Sequence, residues 1–346
     1  MSQAVRILRD VALQSRNTLG VGARATVLAE VTDAAALPAL FERPEFSGQP
    51  PLVLGGGSNV LFVEDPQRPL LVLAGRQTRV VRNDADGTIL RADAGVPWHG
   101  FVLDALARGH AGLENLALIP GTVGAAPIQN IGAYGVEVRE FIHAVEAFEP
   151  ARGQWHRLDR DACAFAYRDS VFKQQPDRFI VTAVEFALRP EFTPRLEYAG
   201  IGEELAAMGV AHPTPGAIAE AVIAIRRRKL PDPAVIGNAG SFFKNPIVPT
   251  LKAEALSSEH AALPVFRGGD DDSRKLSAAW LIDACGWKGH RDGDAGVAAS
   301  HALVLVNHGD ASGRQLFDLA RRIAGSVHER FGVALEPEPR IIGASW

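Results

Sequence analysis

Leu52-Val53-Leu54-Gly55-Gly56-Gly57-Ser58-Asn59-Val60-Leu61-Phe62 reads as a strand, three glycines, a polar pair and a second strand. Glycines let backbone N–H groups converge on a phosphate and let a ligand approach the main chain, while Ser58 and Asn59 add side-chain donors. A plain β-turn fits the same letters, and both readings stand at this point. No lysine and hydroxyl follow the glycines as in a P-loop, which disfavours an ATPase. Upstream, Gly20-Val21-Gly22-Ala23-Arg24-Ala25 matches G-x-G-x-x-A in letters only. A dinucleotide fingerprint needs a strand before it and a helix after it, whereas the strand-like run 25–31 follows here.

Downstream, residues 120–135 (PGTVGAAPIQNIGAYG) form a long segment of small, uncharged residues. Backbone so densely exposed suits contact with a flat heteroaromatic ring, with the amides of Gln129 and Asn130 available to bond its edge. A close-packed loop under a sheet is the structural alternative.

Short apolar runs separated by Gly, Pro, Asn or Asp give strands at 25–31, 52–54, 60–63, 70–73, 80–81 and 89–92. Helical spacing over 33–42, between two strands, makes the first 75 residues a small β-α-β unit, and a further helix is expected over 98–108. Residues 141–149, 153–158 and 178–188 read as three strands, the first and last neighbours in one sheet. Helical patterns then dominate 215–228, 275–285 and 314–331, alternating with short strands at 302–306 and 341–342. The change of character places a domain boundary near 190–200.

With 47% hydrophobic residues over 346 positions, the chain carries two or three domains. Thirty-six basic against forty acidic side chains, net −4, leave no basic stripe and argue against a nucleic-acid partner. Cys163 and Cys285 show no metal or disulfide spacing, and the ten histidines lack HxH, HxxxH or HExxH patterns, so no metal site is expected. No run of about 18 uncharged apolar residues occurs, and the N-terminal stretch lacks a long apolar core, which points to a cytoplasmic protein with no membrane partner.

Three separated groups suggest chemistry. Arg168 emerges from the apolar run Ala164-Phe165-Ala166-Tyr167, so its guanidinium must meet a carboxylate: Asp169, Glu338 or a ligand's. Ser241 lies in Gly240-Ser241-Phe242-Phe243 without a G-x-S-x-G elbow or triad, which disfavours hydrolysis; a turn serine or a proton donor both fit. A hydroxyl, a guanidinium and the Glu338 carboxylate brought together would suit protonation of a carbanion beside a carboxylate. Arg226-Arg227-Arg228-Lys229 ends a helix, where cations complement the dipole or recognise a diphosphate.

NTLGVGA at 17–23, LGGGSNVLF at 54–62, GLENLALIPGTVGAAPIQNIGAYGVEV at 112–138, YRDSVFK at 167–173, KLPDPAVIGNAGSFFKNP at 229–246, AAWLIDACGWKG at 278–289 and LEPEPRIIG at 335–343 together resemble the UDP-N-acetylenolpyruvoylglucosamine reductase family. The resemblance covers nearly the whole chain. It implies an α+β fold: a two-lobed FAD-binding domain of the vanillyl-alcohol-oxidase (PCMH) type, lobes 1–75 and 76–195, plus a C-terminal α+β substrate domain over 196–346. It implies noncovalent FAD held by Gly55, Gly56, Gly57, Ser58, Asn59, Gly121, Thr122, Gly124, Ala125, Ala126, Gln129, Asn130, Gly132, Ala133 and Tyr134.

The activity implied is NADPH-dependent reduction of UDP-N-acetylglucosamine enolpyruvate in peptidoglycan synthesis, by a monomer. Ser241 would donate the proton, with Arg168 and Glu338 organising the enolate-like carboxylate. Tyr198, in a tyrosine loop that closes over substrate, with Arg226, Lys229, Asn245 and His301, would contact the UDP-sugar or NADPH. Ala125-Ala126 and His301 depart from relatives with a serine pair and a glutamine. An FAD enzyme oxidising an alcohol or sugar, and a non-catalytic flavin or UDP-sugar binder, are the alternatives.

Overall fold

The computed structural model describes residues 4–85, 87–188 and 191–346. By contact the chain divides into two units: Met1–Val11, Ala25–Gly56 and Gln67–Arg228 in the first, and Ala12–Arg24, Gly57–Pro66 and Lys229–Trp346 in the second.

The first unit holds two sheets. One has the order Val5–Ala12, Arg24–Val31, Leu70–Leu73, Leu52–Val53. Its parallel pairs set Leu28 beside Leu70 and Leu52 beside Leu70, and the Ala34–Ala36 turn with the helix Leu37–Phe41 crosses over from Arg24–Val31 to the parallel strand Leu52–Val53. The expected β-α-β unit is therefore present. Asp33 starts the crossover by accepting from the Ala35 amide at 3.0 Å, and Leu37, Leu40 and Phe46 bury against Ala29, Val31 and Leu71.

The other sheet is antiparallel, in the order Gln154–Asp159, Ile142–Glu149, Ile180–Leu188, Gly87–Asp93, Thr78–Asp84. Ile142–Glu149 and Ile180–Leu188 are neighbours, as their apolar patterns anticipate. The helix Trp98–Ala107 lays Trp98, Phe101, Val102 and Ala105 into its core. There the Phe186 ring sits 4.7 Å from Phe101 and 5.9 Å from Trp98, a tilted aromatic cluster that adds to the burial term.

The boundary expected near 196 moves to about 229. The helices Ile201–Ala207 and Pro215–Lys229 bury Ile201, Leu205, Ile218, Val222 and Ile225 in the same cluster as Phe186, so their apolar stripes belong to the first unit. The short segments 12–24 and 57–66 go the other way, into the second unit.

The second unit carries an antiparallel sheet in the order Gly237–Ser241, Val304–Asn307, Ala295–Val297, Arg291–Asp292, and a three-stranded sheet with Ser273–Leu276 between Ile247–Pro249 and Val265–Arg267. The helix expected over 275–285 starts only at Ala278. Lys275 and Leu276 finish a strand, and Ser277 caps the helix by accepting from the Trp280 amide at 3.2 Å. The long helix Gly313–Phe331 begins in a Ser312/Gln315 capping box and ends at Gly332 with φ +61°. Its first residue admits no side chain: a Cβ on Gly313 would lie 1.7 Å from the Phe62 carbonyl oxygen.

Strand Val60–Phe62 runs parallel to Arg340–Ile342, which ties the chain end to the residues after the glycine loop. Asn17 and Asn307 hold the 13–22 segment, Asn17 bonding Leu13 and Val21 and Asn307 bonding the Leu19 carbonyl at 3.0 Å. The G-x-G-x-x-A letters thus form an anchored loop running into a strand, not a strand-to-helix turn. Among the described residues no helix is long and apolar enough to cross a membrane.

Phe186→Ala, which empties the centre of the aromatic cluster, should lower unfolding free energy by about 3–5 kcal/mol. Urea denaturation followed by circular dichroism gives the number, and a loss under about 1 kcal/mol would contradict this packing.

Candidate active site

The first glycine loop begins where Leu54 donates to the Leu71 carbonyl at 2.9 Å and the strand stops. Across from it, the segment 121–124 is laced to residues 94–98. Trp98 donates to Gly121, Val123 to Val96 and Gly124 to Ala94, at 3.0, 2.9 and 3.0 Å. The two loops then meet backbone to backbone: a Cβ on Gly56 would lie 2.9 Å from the Gly121 Cα, and one on Gly55 3.0 Å from the Thr122 Oγ1. Gly55 and Gly56 are exposed, and among the described residues no carbonyl accepts from either amide. Free amides on a glycine turn form a concavity for an anion, which fits the diphosphate of FAD.

The other expected cofactor residues divide by what they touch. Gly57 has φ +64°, and a Cβ there would lie 2.0 Å from the Arg16 carbonyl oxygen, so only glycine fits that turn. Asn59 bonds the Glu338 carbonyl through Nδ2 and accepts from the Arg340 amide at its own carbonyl. One expectation is corrected. The Asn130 carboxamide is fully buried and bonds Glu137, the Ala166 carbonyl and the Arg139 amide, so it is spent on the fold and not aimed at a ligand ring. Ala126 is likewise buried in the core, leaving Thr122, Gly124 and Ala125 as the half-buried face of that loop.

Backbone strain concentrates around this loop. Leu118, Asn130, Tyr134 and Arg168 have φ of +58°, +45°, +51° and +54°, each costing about 1–3 kcal/mol and persisting only because its surroundings enforce it. The enforcing groups are visible. The Leu118 amide donates to His99 Nδ1 at 3.0 Å and its carbonyl accepts from Arg226 Nε at 3.2 Å. Burial, then Arg227 and Arg226, push the His99 pKa down, which keeps its ring neutral and able to accept. Asn115 Nδ2 holds the Tyr134 carbonyl at 3.0 Å.

Arg168 donates to the Gly132 carbonyl at 2.7 Å and to that of Asn130 at 3.4 Å, and lies 5.3 Å from the Tyr167 ring centroid. The neighbouring Asp169 carboxylate accepts from the Ser170 amide and from Gln174. Arg226 is half-buried, and burial lowers its pKa; among the described residues no carboxylate pairs with it. Tyr134 stands beside it with its pKa raised by burial, and Tyr198 meets the Tyr134 ring edge-on at 5.0 Å. An under-compensated guanidinium next to two phenols is an anion-binding arrangement.

In the second unit, Ser241 ends the strand Gly237–Ser241, opposite Val304. The register shifts between Asn238 and Ser241, with Gly240 at φ +68° and its amide bonded to Asn238 Oδ1 at 3.0 Å. Such a bulge re-aims the side chain that follows it. The Ser241 residue is half-buried, and among the described residues its hydroxyl has no hydrogen-bond partner. The next residue brings in the distant carboxylate: the Glu338 amide donates to the Phe242 carbonyl at 2.8 Å, with Phe243 bridged to Pro337.

His301 is held by its Nδ1 accepting from the Leu303 amide at 3.2 Å, and burial, then Lys229 and Lys288, lower its pKa. The neutral ring therefore carries its proton on Nε2 as a donor. Asn245 Oδ1 accepts from the Ala278 amide at 3.0 Å. Sequence reading missed His99 and Asn115; the only signal was their place beside the glycine-rich segment.

A family model described as FAD binding domain matches residues 25–159, the stretch that carries the paired glycine backbones, and with the reductase matches that follow it makes the protein an FAD-dependent oxidoreductase. A second model, for the UDP-N-acetylenolpyruvoylglucosamine reductase C-terminal domain, matches residues 232–342. The chain belongs to the UDP-N-acetylenolpyruvoylglucosamine reductase family. It is 57% identical, over 100% of both chains, to the reductase of that name from Xanthomonas axonopodis pv. citri. It is 54% identical to that of Xylella fastidiosa strain M12, over 96% of this chain and 95% of the relative. A solved reductase of this kind from Thermus caldophilus aligns with TM-score 0.67 and 28% identity, covering 98% of this chain and 99% of that one. The fold class expected from the sequence motifs holds.

Gly56→Ala should expel flavin without unfolding the protein, because the new methyl group meets the Gly121 backbone. The absorbance ratio at 450 and 280 nm reads the occupancy, and full retention of FAD would overturn the cradle. A pH effect follows from His301. Its folded-state pKa lies below the ordinary histidine value of about 6.5, so as pH falls through that value the unfolded chain takes up the proton first. Stability is complete above this window and declines as pH drops toward the folded value. His301→Gln should flatten the decline in urea midpoints measured between pH 7 and pH 5.

Proposed function

We propose that this protein is an NADPH-dependent, FAD-mediated reductase that converts UDP-N-acetylglucosamine enolpyruvate to UDP-N-acetylmuramate for peptidoglycan synthesis. Family membership supports the substrate and the reduction. The observation that carries the residue assignment is Ser241, whose hydroxyl follows a bulge, has no partner among the described residues, and sits one residue from the carbonyl that binds Glu338. The glycine loops at 55–56 and 121–125 hold the FAD, noncovalently, since neither contains a histidine or cysteine.

FAD held by Gly55, Gly56 and residues 121–125 would supply hydride transfer from NADPH to the terminal carbon of the enolpyruvyl ether. The neighbouring carbon then needs a proton, and Ser241 Oγ–H donates it; the new C–H bond forms as the O–H bond breaks. Carbanion character beside a carboxylate is basic enough for an ordinary hydroxyl to act as its acid. Arg168, fixed by two backbone carbonyls, steadies the substrate carboxylate as charge spreads onto it, and Glu338 helps order that carboxylate. Arg226, Tyr198, Lys229, Asn245 and His301 take the anionic sugar nucleotide, and the Tyr134 phenol, beside Arg226, joins them rather than the flavin. A monomer working in the cytoplasm completes the proposal.

Anaerobic stopped-flow absorbance tests it. Protein reduced by NADPH is mixed with the enolpyruvyl sugar nucleotide, and flavin reoxidation is followed. Wild type should reoxidise rapidly, and Ser241→Ala should slow the step by about 10²–10⁴-fold with flavin reduction by NADPH intact. Reoxidation by oxygen alone would move the protein to alcohol or sugar oxidation; an unchanged rate in Ser241→Ala would remove the serine from the proton transfer.

A further inference from the structure

Asn115 lies on the turn Glu114–Leu116 and is 1% exposed. Its carboxamide nitrogen has two protons and spends both on main-chain carbonyls, Tyr134 at 3.0 Å and Arg195 at 3.1 Å, which are 19 and 80 residues away. The first acceptor belongs to a residue strained at φ +51°. The second belongs to the irregular segment before Tyr198, where Arg195 also pairs with Glu140. Three residues past Arg195 the Tyr198 ring meets the Tyr134 ring edge-on at 5.0 Å. The two aromatic side chains therefore project from backbone roots joined by one buried amide.

The turn that carries the amide is itself fixed. The buried Glu114 carboxylate accepts from the Gly112 amide at 2.7 Å. Gly112 has φ +122°, and a Cβ there would strike the Phe141 ring at 2.5 Å. The Trp98 indole N–H bonds the Leu116 carbonyl at 2.9 Å on the turn's other side. A rigid donor with both protons committed transmits position, because neither carbonyl can shift without breaking a buried bond that water does not replace.

We infer that Asn115 is a positioning residue for sugar-nucleotide binding: its carboxamide clamps the Tyr134 carbonyl to the root of the Tyr198 segment and so sets the geometry in which the two phenols and Arg226 meet the anionic ligand. The inference rests on the reading of Tyr198 as a ligand contact. Freed of the clamp, the segment beyond Arg195 samples many positions, and binding selects the competent one at a cost in apparent affinity. Chemistry after binding is untouched, since Asn115 bonds neither Ser241 nor residues 55–56 and 121–125, and meets the 120–135 segment at the Tyr134 carbonyl near its far end.

The test is a double-mutant cycle on the FAD-loaded full chain, using Asn115→Asp, Asn115→Ala, Tyr198→Ala and the combinations. Asn115→Asp keeps the shape and presents oxygen to both carbonyls in place of N–H. Affinity for UDP-N-acetylglucosamine enolpyruvate is read from the perturbation of oxidised flavin absorbance, and turnover is measured separately. Either Asn115 change should raise Kd and KM about tenfold, the loss expected for two hydrogen bonds, with kcat and flavin content within about twofold of wild type. In the Tyr198→Ala background the same change should add less than about twofold, because the element it positions is gone.

A full tenfold loss in that background, or unchanged affinity in the single variants, would overturn the clamp while leaving Tyr198 as a ligand contact. Unaltered affinity in Tyr198→Ala would instead remove Tyr198 from the site, and the clamp's role with it. Should every Asn115 variant lose FAD or fail to fold, the residue is part of the scaffold and the inference falls.

Discussion

Contact between two glycine backbones, Gly56 and Gly121, is the constraint to which the rest of the first unit answers. With 2.9 Å between a would-be Cβ and the opposing Cα, no other residue fits, and the approach survives only if both loops are held from behind. One is held because Leu54 ends a strand in the parallel sheet. The other is held by bonds from Gly121, Val123 and Gly124 to the 94–98 segment, which in turn is fixed by Trp98 in the aromatic core. Burial of Phe186 and its neighbours is thereby converted into the separation of two loops that carry few atoms of their own.

Four of the non-glycine residues with positive φ extend the same logic. Leu118, Asn130, Tyr134 and Arg168 sit in conformations their side chains disfavour, and three of them are pinned by polar groups: the half-buried His99 and Arg226, and the buried carboxamides of Asn130 and Asn115. The arrangement is stiff because each pin is itself desolvated, and an unmade bond at such a depth costs more than a made one gains. Stiffness of this kind favours fixed charge placement over adaptability, which suits a site that must hold a carboxylate while a neighbouring carbon changes hybridisation.

Much of this was legible in the letters. Gly55-Gly56 marked a loop of bare backbone, fit for a ligand or a plain turn, because glycine patterns report backbone demands directly, and the β-α-β start followed from apolar spacing over residues 25–73. Side-chain direction was not legible. Asn130 reads as a ring-edge donor in sequence, but its partners Glu137 and Ala166 become neighbours only when the sheet forms. The boundary near 196 came from a change in composition, yet the stripe Ile218, Val222, Ile225 says only that a helix is amphipathic, not which sheet it covers. Ser241 showed no serine-elbow pattern because its exposure comes from a register shift at Gly240, a property of pairing with the much later strand Val304–Asn307.

The second unit draws on residues 12–24 and 57–66 as well as everything from Lys229 onward. During synthesis those two early segments leave the ribosome long before the sheet they join exists. Loop 13–22 waits for Asn307, and strand Val60–Phe62 waits for Arg340–Ile342 and for the bare start of the helix at Gly313. Closing so long a chain segment is entropically slow, so the second unit is complete only once the residues up to strand Arg340–Ile342 have been made. The residues flanking the glycine loop remain open to chaperones or to other chains until then.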